Sequence, residues 1–353
     1  MTDRVHDQPL ILSSYAIVDE RGDQARNYRD AIGLFRRAEQ LGVEGVWVRQ
    51  FHLTDGGRGG LPSPFVLLAA LAGATTRLRL GTAAITLPLE TPLRVAEDAA
   101  VLDAVSGGRV ELGLANGGYQ PGVPELLGHP AAADPGERRA AYLARIDEVL
   151  DALAGRPLAA GGLRLNPAAP GLTDRVWEAT LSAPSGFAAG SRGHGVLLGT
   201  TQTTPAEVTA RAYYVGLEQC AADRSGGSGT VPRVGLATLI YPAASREAAL
   251  AEAGPGIEEK YAWGRDFLPA ATTLAEKAAA INLHHGTSEQ ITESILAQPA
   301  LPYATQLMVQ TELFYDTYAH RADALEQFTT EIAPALGWTS TRSSDPVPTG
   351  ARA

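Results

Sequence analysis

The run Thr180-Leu181-Ser182-Ala183-Pro184-Ser185 closes an apolar segment and opens a helical one. Proline suits the first helical position and disfavours helix at Ala183, so backbone N–H groups point off the helix start with the Ser182 and Ser185 hydroxyls beside them. That donor set can hold a phosphate, and the same serines can equally be plain helix caps. A second cluster, Asn116-Gly117-Gly118-Tyr119, follows the apolar run Arg109 to Ala115. Asn116 can hydrogen-bond a polar ligand, the glycines admit close backbone approach, and Tyr119 can wall a pocket. Asn-Gly is also a turn former without any ligand. His52, behind Gln50 and Phe51, can act as general acid or base because imidazoles titrate near neutrality, or can be a rim histidine held by ordinary hydrogen bonds.

Other chemistries find little purchase. The seven histidines are scattered, and the adjacent pair His284-His285 points in divergent directions in helix or strand, so no metal is expected. The single Cys220 excludes an internal disulfide and a thiolate cluster, and its helical setting reads as packing. Gly193-His194-Gly195 through Gly199 has the wrong spacing for a dinucleotide fingerprint and precedes a strand instead of following one. No glycine tract ends in the Gly-Lys-Ser or Gly-Lys-Thr of a nucleotide loop. A formal charge of -10 argues against a nucleic-acid partner. No apolar run is long enough for a bilayer and Met1 to Pro9 lacks a signal-peptide pattern, so a cytoplasmic protein without membrane contact is expected.

The elements that must position these residues alternate. Strands are expected at Leu10–Val18, Glu44–Phe51, Leu78–Leu87, Arg109–Ala115, Arg175–Leu181, Gly195–Gly199, Val234–Tyr241 and Tyr303–Gln310. Helices are expected at Asn27–Gln40, from Pro62 or Pro64, and at Pro92–Val105, Gly136–Leu153, Ser185–Ser191, Pro205–Ala222, Ser245–Trp263, Ser288–Gln298 and Thr317–Leu336. In the first helix Ile32, Leu34, Phe35 and Ala38 form the apolar face, and Gly42 stops it. The eightfold count predicts an α/β protein, a (β/α)8 TIM barrel with insertions at its C-terminal rim, where such barrels carry their chemistry. One domain over residues 1–338 and a disordered tail over 339–353 complete the expected organisation. The loops Thr54 to Leu61, Gln120 to Pro135 and Lys260 to Gly286 are expected to shape the substrate pocket, with Tyr261 and Trp263 lining it or packing the last loop.

The stretch Val43 to Tyr119 also resembles the bacterial luciferase-like, flavin-dependent monooxygenase superfamily. The motifs that carry it are Gly81-Thr82-Ala83-Ala84-Ile85-Thr86-Leu87-Pro88-Leu89, then Thr91-Pro92-Leu93-Arg94-Val95-Ala96-Glu97-Asp98, and Leu102 to Gly113. The resemblance implies a barrel mouth that takes reduced flavin mononucleotide (FMN), or the deazaflavin F420, over a backbone bulge that often holds a non-prolyl cis peptide. Ala83-Ala84 is the matching pair. Small side chains there let a flat ring approach the backbone, although tight strand packing would also select them. Arg175 to Ala189 resembles the fifth strand and following helix, which implies the flavin phosphate at Leu181, Ser182 and Ser185. Asn116, Gly117 and Tyr119 match a loop that approaches the cofactor, and Phe51 and Tyr119 are implied as pocket walls.

The match departs from luciferases at the catalytic position. Their Glu-His-His is Gln50-Phe51-His52 here, the reactive-cysteine position is Ala115, and the arginine that often follows is Asn116. Luciferase chemistry itself is therefore not expected, and His52 is left as the catalytic candidate. What the resemblance implies is a monooxygenase that takes reduced FMN from a separate flavin reductase, uses O2, and oxygenates a small organic substrate, in a chain that pairs as a homodimer. Two alternatives stand beside it. One is an F420-dependent oxidoreductase, with Arg58 or Arg192 meeting the cofactor's acidic tail. The other is a noncatalytic flavin-binding partner subunit.

Overall fold

The computed structural model describes residues 4–53, 59–117, 121–129, 132, 134–200, 204–223, 231–266, 268–313 and 317–340. Its strands are β1 (Ile11–Ala16), β2 (Gly45–Val48), β3 (Arg79–Thr82), β4 (Ile85–Thr86), β5 (Val110–Ala115), β6 (Val176–Thr180), β7 (Gly195–Leu198), β8 (Val234–Pro242), β9 (Leu283–Gly286) and β10 (Gln306–Gln310). Every pairing is parallel, and the order β10-β1-β2-β3-β5-β6-β7-β8 closes through β10–β8 into an eight-stranded barrel. Parallel strands buried on both faces read as near-continuous apolar runs, which is why the eightfold rhythm is visible in the sequence.

Around the barrel run α1 (Gln24–Leu41), α2 (Pro64–Ala74), α3 (Pro92–Ser106), α4 (Val123–Leu126), α5 (Pro135–Leu153), α6 (Ala183–Ser191), α7 (Ala206–Asp223), α8 (Arg246–Gly264), α9 (Leu274–Ala280), α10 (Ser288–Leu296) and α11 (Tyr318–Gln327). In α1 the buried face is Ala31, Leu34, Phe35, Ala38 and Leu41, and Ile32, partly buried, packs against the same core. Asp23 caps its start by accepting from Arg26 N–H, and Gly42, at φ 88°, ends it in the left-handed conformation that glycine adopts without penalty. The main apolar layer lies between helices and strands, where Leu68, Leu71 and Ala99 meet Val46, Leu80 and Leu112. Each such leucine, fully buried, contributes about 1.5–3 kcal/mol.

Inside the barrel two tryptophans fill the lower layer. Trp47 of β2 is in register with Gly81 of β3, and Trp177 of β6 with Gly195 of β7. A Cβ at either glycine would overlap the neighbouring indole, so the glycines are the space in which the rings lie. The rings meet edge to face at 5.3 Å, and Trp177 donates its indole N–H to Glu111 at 2.7 Å. Tyr15, Leu197 and Met308 complete this interior cluster, which closes the barrel from below and forms the floor of what lies above it.

Three expectations need correction. The single strand Leu78–Leu87 is broken into β3 and β4 around Ala83-Ala84, and the chain then runs into a 3-10 turn, Leu87–Leu89. Lys260 to Gly286, expected as loop, completes α8 and also contains α9 and β9, because β8 is nine residues long and its upper half pairs with β9 outside the barrel. The last helix changes character after Gln327, passing through a π-helical segment, Phe328–Ile332, to a 3-10 turn, Ala333–Leu336. Among the described residues no helix is long and apolar enough to cross a membrane. Residues 341–353, most of the expected tail, lie outside the described residues.

Candidate active site

At the carboxyl ends of the strands the barrel opens into a cavity of about 720 Å³. Ala83, Ala84, Asn116, Gly117, Leu181, Ser182 and Ser185, drawn from the ends of β3, β5 and β6, all line it. Tyr119 lies outside the described residues, as do Gly118 and Arg58. Phe51 and His52 are not among the walls of this cavity. The chain turns away after Arg49, with Phe51 N–H donating to Leu61 O at 3.0 Å, and the side chain of Arg49 takes the inward position. His52 sits instead 3.5 Å from the Glu90 carboxylate.

The bulge has a local cause. Ala83 N–H still bonds to Val48 O at 2.7 Å, but Thr86 N–H bonds to the side chain of Gln50 at 2.8 Å, not to a neighbouring strand. Gln50 in turn donates to Glu90 at 2.7 Å and to Pro62 O at 3.2 Å, so its side chain braces three segments. Below it, Thr82 Oγ1 both donates to Gly113 O and accepts from Gly113 N–H, each at 2.9 Å. A Cβ at Gly113 would overlap the Thr82 carbonyl, which explains glycine there. The peptide bond Ala83–Ala84 is cis. These contacts set two methyl-sized side chains in the cavity wall.

About a hundred residues further along, α6 (Ala183–Ser191) begins at the cavity. Ser182 is its N-cap residue yet makes no side-chain cap bond, and its hydroxyl lies 3.1 Å from that of Ser185. Arg139, from the first turns of α5, donates to Ser185 Oγ at 2.9 Å. A guanidinium, two hydroxyls and a positive helix end thus converge at one side of the cavity, an arrangement that suits a phosphate. Arg139 escaped the sequence reading, although a signal existed: Arg138-Arg139 at a helix start runs against the dipole, which favours acidic residues there.

The wall beside this anion end holds a buried carboxylate. Glu178 accepts from Arg192 at 2.6 Å on both oxygens and lies 2.9 Å from His194 Nδ1. Burial alone would raise its carboxyl, but His194 and Arg192 outweigh that and hold it below its ordinary range. Arg192 is therefore committed, and the charge of Glu178 is balanced where it stands. Tyr142, also in the wall, has a buried hydroxyl with no hydrogen-bond partner among the described residues, and burial followed by Glu178 pushes its pKa up.

The opposite wall carries Tyr15, Arg49, Lys260, Trp263 and Gln310. The Arg49 guanidinium lies between the rings of Phe51 and Trp263, 4.7 and 4.6 Å from their centroids. Lys260 is 2% exposed. Behind it Glu312 is also buried, with one oxygen accepting from Ile17 N–H at 2.7 Å and the other without a partner among the described residues. Burial lowers the Lys260 ammonium and raises the Glu312 carboxyl. Trp263 thus lines the cavity, whereas Tyr261 packs the following loop through its hydroxyl, 2.9 Å from Pro269 O and 2.8 Å from Ala271 N.

A parallel barrel with a polar-ended cavity at its carboxyl rim defines a small-molecule site of the barrel-enzyme type. The family model for luciferase-like monooxygenases matches residues 10–313, and the chain belongs to that family. Among curated relatives, the alkanal monooxygenase alpha chain of Photorhabdus laumondii subsp. laumondii is 42% identical over 88 residues, 25% of this chain and 24% of that one. The oxygenase component of the flavin-dependent trigonelline monooxygenase of Acinetobacter baylyi is 32% identical over 102 residues, 29% of this chain and 28% of that one. The chain spans a quarter to two fifths, 24% to 41%, of the length of relatives of this kind. Among solved structures, monooxygenase RslO1 from Streptomyces bottropensis superposes with TM-score 0.75 at 20% identity, covering 92% of this chain and 99% of that one. The oxygenating constituent of 3,6-diketocamphane monooxygenase from Pseudomonas putida, solved in complex with FMN, gives 0.69 at 16% identity over 92% and 98%. At these identities the structural likeness concerns the fold.

Proposed function

We propose that this chain is the oxygenase of a two-component system, taking reduced FMN from a separate reductase and using O2 to oxygenate a small organic substrate. The observation that carries the reading is the pairing, in one cavity, of a wall reduced to the Ala83 and Ala84 methyls with an anion end built from Arg139, Ser182, Ser185 and the start of α6. A phosphorylated flat ring needs both, and the volume lies within the ~300–1,000 Å³ usual for small-molecule sites. Arg139 as the cation at that end suits a monoester phosphate. F420, with its longer acidic tail, finds Arg192 already bound to Glu178.

When bound, reduced FMN supplies the electrons that reduce one oxygen atom of O2 to water while the other enters the substrate. The protein's part is to hold and to exclude. Ala83, Ala84, Ala179, Leu197 and Met308 give the cavity its apolar walls and keep water from the reacting face. Asn116 and Gly117, following β5, border the same space and offer a carboxamide and an open backbone. His52, set against Glu90 away from these walls, is assigned no step. A homodimer in the cytoplasm is part of the same reading, and sedimentation of the purified protein reads the first of these.

The test is turnover with a flavin reductase, a reduced nicotinamide dinucleotide, FMN and a substrate panel under ¹⁸O2. The reading expects one labelled oxygen in the product. Turnover with F420 and no label selects hydride transfer instead, and flavin binding without product across the panel selects a noncatalytic partner subunit.

A further inference from the structure

The phosphate end of the cavity lies at the end of β6, and in the closed strand order β1 is four strands away in either direction. The wall diametrically across from the anion end is therefore the one that carries Tyr15, Gln310, Arg49 and Lys260. None of these is part of the flavin-holding set. Lys260 reaches the cavity from α8, where it falls on the buried stripe Ala249, Ala253, Ile257, Lys260 and Gly264.

The charges at this wall do not balance. Among the described residues neither Lys260 nor Arg49 forms an ion pair, and Lys260 makes no hydrogen bond. Glu312 stands behind Lys260, beyond ion-pair distance, and Arg321 also acts on it. Asp266, the other carboxylate on this side, is exposed at the rim. Glu178, across the cavity, is already satisfied by Arg192 and His194. Taking an ammonium out of water costs several kcal/mol unless it meets a counter-charge. Here the cavity is the open side of both cations, and the rings that clamp Arg49 fix its position without neutralising it.

We infer that Lys260 and Arg49, with the Tyr15 hydroxyl, form a carboxylate-binding subsite, so that the substrate is a small organic acid whose apolar body extends from this wall toward Ala83 and Ala84. The inference deepens the oxygenase reading and rests on it for the position of the flavin. The electrostatics of the subsite do not require the flavin, so the two can be tested apart.

The experiment compares acid and amide isosteres. Benzoate, phenylacetate and octanoate, each beside its neutral amide, are titrated calorimetrically into the full chain saturated with FMN and again without it. At least one acid is expected to bind tenfold or more tightly than its amide, and Lys260→Met and Arg49→Gln are each expected to remove that preference while leaving FMN affinity within about twofold. Lys260→Arg, which keeps the charge, is expected to retain it. Equal binding of acids and amides, no binding of any acid, or an undiminished preference in both neutral variants overturns the proposal. Lys260→Met removes a buried charge that forms no ion pair among the described residues and leaves Arg321 acting on Glu312, so it is expected to fold. Should it not, the isostere comparison on the native chain and on Arg49→Gln decides alone. Loss of FMN binding with a surviving acid preference contradicts the flavin reading and leaves the subsite standing; the reverse pattern does the opposite.

Discussion

At the scale of residues, the bulge is held by side chains whose removal has a calculable direction. Gln50→Ala strips Thr86 N–H of its acceptor and Glu90 of a donor, and leaving a buried N–H unsatisfied costs about 1–3 kcal/mol. A fall of that size in the free energy of chemical denaturation is expected, together with weaker flavin binding. Ala84→Leu should leave stability little changed, since its side chain would grow into the cavity, and should abolish flavin binding by occupying the ring's place; retained binding on fluorescence titration would remove the ring from this wall. Several residues at this scale were legible. Ala83-Ala84 and Ser182-Ser185 were singled out by family resemblance and by the chemistry of a proline-led helix start. Arg139 and Lys260 were not, though each broke a local rule: a cation at a helix start, and a lysine on an apolar stripe. Their partners lie far away in the chain, and only the fold shows what the broken rule serves. The Glu178-Arg192-His194 cluster left no such trace, because its members come from a strand and a helix end whose meeting depends on register.

At the scale of elements, the glycines paired with tryptophans set the barrel's inner packing. Gly81→Ala drives a methyl into the Trp47 indole in a filled interior, and overpacking of this kind typically costs ~1–3 kcal/mol; thermal unfolding should show it without loss of helical content. Strand β9, which the sequence did not disclose because it is four residues long and half of it is histidine, carries a pH-dependent term. Burial lowers the His284 pKa from 6.5 to about 4, with smaller contributions from His285 and Arg246. The unfolded chain therefore binds the proton first, so the stability of this region is full above about pH 6.5 and declines as the pH falls toward 4, by about 3 kcal/mol in all. Denaturation curves across that window should flatten in His284→Asn, a variant less stable at neutral pH; an unchanged slope would mean that His284 is not buried as described. The same region shows why strand and loop were confused: β9 is recruited by the exposed upper half of β8, a tertiary event with no local periodicity behind it.

At the scale of the whole molecule, eight parallel strands bring residues separated by more than two hundred positions to one cavity, with an anion end at β6 and a cationic wall around β1 and β2. Alternation and count sufficed to predict that barrel because its strands are largely apolar and buried, whereas the polarity of the cavity depends on side chains that strand ends and α5, α6 and α8 bring together from distant parts of the chain. The central claim is that the cavity holds FMN with its phosphate at Arg139, Ser182 and Ser185. Anaerobic titration of the protein with reduced FMN and with reduced riboflavin, which lacks only the phosphate, tests it most directly. FMN is expected to bind at least tenfold more tightly, with the difference lost in Arg139→Ala; equal affinity for the two, or a preference that survives the substitution, would contradict the account.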